Sequence, residues 1–403
     1  MHCPTRAAVC LLVFCALASC AAPQPLRETS PVRIGLFADL SSTGAREGND
    51  ALKGAELRVA EANESGGIGG RPIELIVRDM KQSASEAIKA FTQLAQEEGT
   101  CAVIGSTIAA SGLAVSPVAD LSKVTLVSLS VDDRVTNPEL NPESPDPVGP
   151  VRQYAFLAQP SATQSAAAFA HYMAEHLVLK RYATLYDAAS PVSFLQARAF
   201  ENAMKIAGRT LAASVVLPEG DLAVPLRALR DAGIEAVYVC ASTAKDAAAA
   251  KAIREALPQA VLLGNQSWYA PRADQPGKVT TAFAGTGSNA WFWMAVSPDD
   301  TALARIVPSF EARFAERPRP AMVAGWDAAA LVIAAVRKAG SASPSKVRDA
   351  MELLSGAPVF QGELTMDRKT HRPASPTVAI MRIVGDSYVT AEPRYADKPS
   401  KAP

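Results

Sequence analysis

The chain has 403 residues, in which 40 Lys and Arg balance 40 Asp and Glu, so its formal net charge is zero. This balance argues against a nucleic-acid partner and against a broadly basic membrane-binding face. The length is sufficient for one large hydrophobic core or two ordinary ones.

The N-terminal residues have the pattern of an export signal. Arg6 supplies a positive charge, and residues 7–17 form an apolar run that is too short to span a bilayer as a mature helix. The run ends in Leu17-Ala18-Ser19-Cys20, which resembles a bacterial lipobox. We therefore expect a signal peptide over residues 1–19, cleavage before Cys20 and lipidation of its sulfur. An ordinary secretory signal, cut after Ala18 or after Ala22, is the alternative.

The rest of the chain is predicted to be a soluble domain behind a flexible tether over residues 20–31. No other stretch reads as an apolar run of about 20 residues, the length that a membrane span needs. Beyond Cys20 only Cys101 and Cys240 remain, each beside a predicted buried strand. We expect both to be small buried hydrophobic residues and not a disulfide bridge.

Residues 32–79 show a strand, a loop, a helix, a turn and a second strand. Residues 32–37 predict a buried strand, and the small polar loop 41–44 follows it. The helix after the loop has a mostly apolar face, made by Ala51, Ala55, Leu57, Val59 and Ala62. A glycine-rich turn at 66–70 ends this helix, and residues 73–77 predict the next parallel strand.

Helix and strand patterns continue to alternate after Asp79. The predicted helices are 84–97, 112–121, 163–177, 194–207, 223–232, 244–257, 301–314 and 322–338. The predicted strands are 102–104, 125–128, 182–186, 213–217, 236–240 and 261–263. Residues 138–150 contain five prolines and predict a surface loop. The alternation predicts parallel sheets covered by helices, and the strands are too many for one sheet, so we expect two doubly wound lobes.

The unit over residues 32–79 resembles the opening of the branched-chain amino acid periplasmic binding proteins. The most specific matches are the turn Gly66-Gly67-Ile68-Gly69-Gly70 and the Gly-Arg-Pro-Ile-Glu-Leu that it runs into. Residues 362–367, Gly-Glu-Leu-Thr-Met-Asp, resemble the late Gly-x-Leu-x-Phe-Asp hairpin of that family. The resemblance implies an α/β fold of the type I periplasmic binding proteins. Its two doubly wound, Rossmann-like lobes are joined by three crossovers, with a ligand cleft between them.

The resemblance also implies where the chain passes between the lobes. The crossovers are expected near residues 153–160, 293–298 and 356–362. The first lobe would then comprise residues 32–153 and 298–356, and the second lobe residues 154–297 and 357–392. Residues 393–403 would form a tail.

No catalytic signature stands out in the sequence. It has no Gly-x-Ser-x-Gly elbow, no His-Glu-x-x-His, no paired Cys-x-x-Cys and no P-loop lysine motif. His171 and His176 are five residues apart on one predicted helix, which places them on different faces. His371 lies in a polar hairpin, where we expect it to be solvated. We therefore expect a binding protein with no metal site and no cofactor.

In the first lobe, the resemblance assigns the acidic end of a ligand to two serines. Serine hydroxyls and helix N-terminal N–H groups bind a carboxylate without adding a full charge. Ser111 corresponds to the family serine that opens a helix and binds the ligand carboxylate, and an N-cap role is compatible with this. Ser130 corresponds to a position that offers backbone groups to the ligand. The family threonine that follows becomes Asp132 without a gap, or Thr136 with a short insertion, and both alternatives stay open.

The remaining predicted ligand residues come from the first loop region and from the second lobe. Ser42 lies in the loop that faces the cleft, and Glu47 replaces the usual aromatic residue. Gln266 replaces the glutamate that accepts an α-ammonium group, so it offers an amide without charge. Ser242 replaces a tyrosine. Trp268 is either an apolar lid over the ligand or a packing residue of the lobe.

The function that the resemblance implies is capture of a small polar organic solute, an amino acid or a relative, for an ATP-binding-cassette importer. A permease in the membrane would recognise the closed form, and lipidated Cys20 would anchor the protein to the bacterial membrane, facing the periplasm or the cell surface. Two alternatives remain. One is an envelope lipoprotein that regulates another protein by binding it, and the other is a sensor component that reports the ligand to a receptor.

Overall fold

The computed structural model describes residues 30–42, 45–140, 150–218, 220–269, 278–279, 283, 289–360 and 362–397. Cys20 and the predicted signal peptide lie outside these residues. In chain order, the strands are β1 (Val32–Ala38), β2 (Ile73–Asp79), β3 (Ala102–Gly105), β4 (Thr125–Ser128), β5 (Ala155–Leu157), β6 (Arg181–Tyr186), β7 (Thr210–Val216), β8 (Ala236–Cys240), β9 (Val261–Gly264), β10 (Ala290–Met294), β11 (Ala357–Val359), β12 (Gly362–Leu364), β13 (Met366–Asp367), β14 (Arg372–Pro373), β15 (Thr377–Val384) and β16 (Ser387–Ala396). The helices are α1 (Arg46–Glu64), α2 (Ala84–Thr92), α3 (Ala109–Ser122), α4 (Ala162–His176), α5 (Pro191–Ile206), α6 (Ala223–Asp231), α7 (Thr243–Ala256), α8 (Leu303–Phe314), α9 (Pro320–Ala339) and α10 (Pro344–Glu352).

The strands form two large sheets, one in each lobe. The first sheet is entirely parallel and has the order β2-β1-β3-β4-β5. The second has the order β16-β15-β10-β9-β8-β6-β7, in which β6 to β10 are parallel and the β15–β16 hairpin is antiparallel. Parallel neighbours need long crossover connections, and helices supply most of them. The predicted fold of two doubly wound α/β lobes is confirmed.

The chain passes between the two lobes at three places. It leaves the first sheet after β5 and enters α4 of the second lobe, and it leaves the second sheet after β10 to enter α8. The third crossing lies between β14 and β15, later in the chain than the expected position near 356–362. The reason is apolar packing, because four side chains of β11, β12 and β13 join the core of the first lobe: Ala357, Val359, Leu364 and Met366.

The core of the first lobe depends on close packing of α1 against α9. A Cβ atom on Gly54 would lie 1.8 Å from the backbone oxygen of Met322, and one on Gly325 would lie 2.0 Å from that of Ala51. Only glycine allows the two backbones to approach so closely.

Among the described helices, α9 alone is long and apolar enough to cross a membrane by length and composition, and 67% of that stretch is buried inside the protein.

Both cysteines of the described chain are free and buried, as predicted. Burial raises the pKa of the Cys101 thiol to about 12, and it raises the pKa of Cys240 as well. Neither thiol is therefore a ready nucleophile at neutral pH.

The prediction that His371 is solvated is wrong. The residue is 2% exposed, and its ring stacks on Phe156 with centroids 4.1 Å apart. Its Nδ1 lies 3.1 Å from the carbonyl oxygen of Ala155, and burial lowers its pKa. His371 therefore joins the β13–β14 hairpin to β5, immediately before the first crossover.

Candidate ligand site

The strand order identifies the edge of each sheet where a ligand binds. In doubly wound sheets the site lies beyond the carboxyl ends of the strands, at the point where the strand order reverses. That point falls between β1 and β3 in the first lobe and between β6 and β8 in the second. Ser42 and Ser111 follow β1 and β3, whereas Asp187 and Ser242 follow β6 and β8.

Ser111 is buried at the start of α3. The helix begins at Ala109 with Ile108 as its N-cap, so Ser111 is the third helical residue and does not have the N-cap role considered above. It is 1% exposed, and its hydroxyl has no hydrogen-bond partner in the part of the chain that the structure describes. A buried hydroxyl beside the free N–H groups of a helix start is suited to bind an anionic oxygen.

The loop after β4 lies against the first turn of α3. A Cβ atom on Gly112, the residue after Ser111, would lie 3.3 Å from Ser128 Oγ and 3.4 Å from Ser130 Cβ. Ser128 Oγ accepts a hydrogen bond from the backbone N–H of Ser130 at 3.1 Å, and Ser130 Oγ accepts one from the N–H of Asp132 at 3.1 Å. The structure therefore brings the predicted residues Ser111 and Ser130 to adjoining segments, and it fixes the turn that holds Ser130.

Asp132 and Thr136, the two alternatives for the family threonine, are both engaged within the protein. Asp132 is fully buried and forms a bidentate ion pair with Arg134, with distances of 3.0 Å from Nε and 2.7 Å from the terminal nitrogen. The bond to Asp132 raises the pKa of Arg134. Thr136 Oγ1 donates to the carbonyl of Asp133 and accepts from Arg372 Nε at 3.0 Å. Neither side chain is free to bind a solute in this conformation.

Asp133 connects this loop to the second lobe. Its carboxylate accepts hydrogen bonds from the backbone N–H of Thr163 at 3.2 Å and from Thr163 Oγ1 at 2.5 Å. It also forms a buried ion pair with Arg372 at 2.5 Å. Beside it, the N–H of Ala162 donates to the carbonyl of Val131 at 2.7 Å. The loop that carries Ser130 is thus tied to the first helix of the second lobe.

In the first loop region, Ser42 and Glu47 differ in environment. Ser42 donates its hydroxyl to Asp39, and its backbone N–H donates to the same carboxylate at 3.2 Å. Asp39 is 3% exposed, so this carboxylate is closed to solvent. Glu47 lies in the first turn of α1 and is exposed.

The predicted residues of the second lobe lie at different depths. Ser242 is the exposed N-cap of α7, and its side chain makes no capping hydrogen bond. Gln266 is exposed in a short turn of 3₁₀-helix after β9. Trp268 is fully buried and stacks on Phe283 with centroids 5.2 Å apart. A Cβ atom on Gly264 would lie 2.2 Å from its indole ring, so Trp268 packs directly on the end of β9.

Two further carboxylates at this edge were not among the predicted site residues. Asp187 forms an ion pair with Lys245 at 2.7 Å, which lowers the pKa of Asp187. It also accepts a hydrogen bond from the N–H of Ala189 at 3.1 Å. Asp246 is fully buried in the first part of α7 and accepts the hydroxyl of Ser267. Burial raises the pKa of Asp246 to about 7. The sequence shows that these two carboxylates follow the neighbouring strands β6 and β8. It does not show which groups they bind.

A cavity of about 140 Å³ lies where the three crossovers meet, apart from the predicted ligand residues. Gln159, Val296 and Thr377 contribute to its wall from the three crossing segments, and Asp327 and Glu363 add two carboxylates. None of the predicted ligand residues lines it. This cavity belongs to the hinge region, whereas the predicted residues lie at the strand ends.

Two doubly wound α/β lobes joined by three crossovers define the fold of the type I periplasmic binding proteins. The sequence profile of the family described as "Periplasmic binding protein" matches residues 31–387. The chain belongs to this family. Its members are solute-binding proteins of transporters and not enzymes, and the family implies an extracytoplasmic location.

Several known proteins are similar to this chain in sequence or in fold. The chain is 28% identical over 237 residues to the Leu/Ile/Val-binding protein homolog 3 of Brucella melitensis, a match that spans 58% of this chain and 61% of that relative. A branched-chain amino acid transporter substrate-binding protein of Streptococcus pneumoniae, solved with isoleucine, has a TM-score of 0.70 at 20% identity, over 92% of this chain and 100% of that one. A solute-binding protein of an ABC transporter from R. palustris, solved with benzoate, has a TM-score of 0.66 at 21% identity, over 91% and 98%. At such low sequence identities, the likeness to these two solved structures shows a shared fold and not a shared ligand.

Proposed function

We propose that the protein captures a small polar organic solute between its lobes and delivers it to an ATP-binding-cassette importer. The observation that carries this proposal is Ser111, a buried residue at a helix start whose hydroxyl has no hydrogen-bond partner among the described residues. It follows β3 at the switch point of the first sheet, where doubly wound folds bind ligands.

Each lobe binds a different part of the solute. In the first lobe, the acidic end is bound by Ser111, by the first N–H groups of α3 and by the turn at Ser130. Gln266 and Ser242 reach it from the second lobe when the cleft closes, and Glu47 lies at the rim. Asp132 acts indirectly, because its backbone N–H donates to Ser130 Oγ at 3.1 Å and its carboxylate holds the guanidinium of Arg134. Trp268 supports the turn that carries Gln266 from beneath.

Closure is a hinge motion about the three crossovers. Asp133 and Thr163 connect the Ser130 loop to α4, so a solute held at Ser130 acts directly on the junction between the lobes. The permease would then recognise the closed form. Relatives with this fold hold isoleucine in one case and benzoate in another, so the scaffold accommodates both an amino acid and an aromatic acid.

Thermal unfolding of the purified full-length chain in detergent, measured with a panel of amino acids, amides, small organic acids and aromatic acids, tests the proposal. A solute that binds only the folded protein raises the unfolding midpoint in proportion to the logarithm of its concentration above the dissociation constant. We expect one chemical class to raise it. A flat response to the whole panel would contradict solute capture and favour an envelope lipoprotein that binds another protein.

We also propose that Cys20, which lies outside the described residues, is the lipid attachment site. The support is the Leu17-Ala18-Ser19-Cys20 sequence after a short apolar run. Mass spectrometry of the membrane-extracted protein is expected to show an acylated N-terminal cysteine, and Cys20→Ser is expected to abolish the modification. A mature N-terminus after Ala18 or Ala22 without lipid would show an ordinary secretory signal instead.

A further inference from the structure

We infer that the captured solute is a small organic carboxylate that carries no ammonium group. This inference rests on the proposed function and narrows it to one chemical class. It follows from the hydrogen bonds and ion pairs that already occupy the charged groups at the switch-point edge of each sheet.

The second lobe presents no accessible, unpaired carboxylate at its switch point among the described residues. Asp187 is held by Lys245 at 2.7 Å, and its side chain is 12% exposed. Asp246 is fully buried beneath Ser267. Gln266, at the position of the family glutamate, is exposed and carries no charge. An ammonium group that entered this side of the cleft would lose its hydration without gaining a counter-charge, which is strongly unfavourable.

The first lobe compensates for this only at its rim. Asp39 is closed by Ser42, and Asp132 is buried in its pair with Arg134. Asp79 lies at the end of the edge strand β2, outside the switch point, and accepts the Ser41 hydroxyl and the N–H groups of Leu40 and Lys81. Asp133 is buried in its pair with Arg372, and Glu47 is exposed to water. A pair of unit charges about 4 Å apart in water gains only about 1 kcal/mol, so Glu47 is a weak substitute for a charge inside a closed cleft.

At the switch-point edges of both sheets, hydrogen-bond donors are more abundant than accessible carboxylates. Ser111 offers a free hydroxyl, Gln266 and Ser242 offer exposed polar groups, and two cations remain partly accessible. The side chain of Lys245 is 44% exposed and that of Arg134 is 29% exposed. Such an environment stabilises a carboxylate and leaves an adjacent ammonium group unpaired.

Isothermal titration of the full-length chain with pairs of compounds that differ only in the ammonium group tests the inference. The pairs are leucine and 4-methylpentanoate, phenylalanine and 3-phenylpropanoate, and alanine and propanoate. In the pair that binds, the acid without the ammonium group is expected to bind at least about tenfold more tightly. Tighter binding of the amino acid would overturn the inference and leave solute capture intact. Absence of heat from every pair, together with a flat thermal panel, would overturn both.

A charge substitution at Gln266 provides the second arm. Gln266→Glu is expected to weaken binding of the favoured acid about tenfold and to improve binding of the matching amino acid. Gln153→Glu adds the same charge at the exposed position before β5, at the opposite edge of the first sheet, and is the matched control. An equal response of both variants, or no change in the ratio of the two affinities in Gln266→Glu, would contradict the inference.

Discussion

The two lobes use the same kind of residue in opposite ways at their strand ends. Ser111 is the third residue of α3 in the first lobe, and Ser193 is the third residue of α5 in the second. Both are buried. Ser193 donates to the carbonyl of Cys240 and accepts the N–H of Asp187 at 2.8 Å, whereas the hydroxyl of Ser111 has no partner among the described residues. The hydroxyl of Ser193 is thus used within the second lobe, whereas that of Ser111 remains available, as the proposed binding role requires.

The same contrast extends to the surrounding charges. In the first lobe, the loop after β4 is held by Asp133, which binds Thr163 of α4 across the first crossover and Arg372 of β14 within the first lobe. In the second lobe, Asp187 and Lys245 pair locally at the site edge. The loop that carries Ser130 is therefore tied to the first crossover, whereas the charge of Asp187 is paired within the second lobe.

The largest expected effect comes from breaking the buried ion pair between Asp133 and Arg372. Arg372→Ala leaves Asp133 buried without its counter-charge, which is expected to lower the free energy of unfolding by about 3–5 kcal/mol in urea titrations. Arg33→Ala removes a pair with Glu74 whose side chains are 47% and 48% exposed, and the expected loss is at most about 1 kcal/mol. Similar losses in both variants would show that the Asp133 connection is not special.

A comparably large effect is expected in the core of the second lobe. Trp268→Ala removes a fully buried ring that stacks on Phe283, at an expected cost of about 3–5 kcal/mol in the free energy of unfolding. An exposed lid over a ligand would instead cost little stability and much affinity. Urea unfolding without any solute distinguishes the two roles, and a loss below about 1 kcal/mol would favour the lid.

The two serines separate binding from stability. Ser111→Ala is expected to weaken solute binding by about 1–3 kcal/mol and to leave the unfolding midpoint of the free protein unchanged, because no protein hydrogen bond is lost. Ser193→Ala is expected to do the reverse, since it leaves the N–H of Asp187 without its acceptor. Calorimetric binding and thermal unfolding of both variants make the comparison, and a shared pattern would remove the proposed contrast between the lobes.

The smallest expected effect is a dependence of stability on pH. Burial raises the pKa of Asp246 to about 7, so between about pH 4 and pH 7 the folded state holds a proton that the unfolded state has released. Stability is therefore expected to fall as pH rises through this window. Asp246→Asn is expected to reduce the fall by an amount on the order of 1 kcal/mol, measured as unfolding free energy at pH 5 and pH 8. Asp231→Asn, at an exposed site, is the control, and equal slopes in wild type and Asp246→Asn would contradict the burial argument.

Much of the fold could be predicted from local pattern. The alternation of apolar periods located most of the helices and strands, because a buried parallel strand and an amphipathic helix have distinct repeats. The third crossing was expected too early, since β11 and β13 are only a few residues long and their burial depends on the first-lobe core. The β15–β16 hairpin was not predicted. It extends to Ala396, into the expected tail.

The residues proposed for the site come from the family resemblance, and their hydrogen-bond partners could not be predicted. Ser111 and Ser130 were chosen because they match family positions, and the structure places them on adjoining segments after β3 and β4. The ion pair between Asp133 and Arg372 joins residues 239 positions apart, and no local pattern shows it. The hydroxyl of Ser193 differs from that of Ser111 only in its tertiary partners. Which polar group is satisfied by the protein, and which remains for a ligand, is a property of the packed structure.

A crystal structure of the complex with the solute that gives the largest thermal shift tests the central claim most directly. The account predicts that the solute lies between the strand ends of the two lobes, with its carboxylate within hydrogen-bond distance of Ser111 Oγ and Gln266 drawn in from the second lobe. A solute bound instead in the cavity at the crossovers, against Asp327, would contradict it.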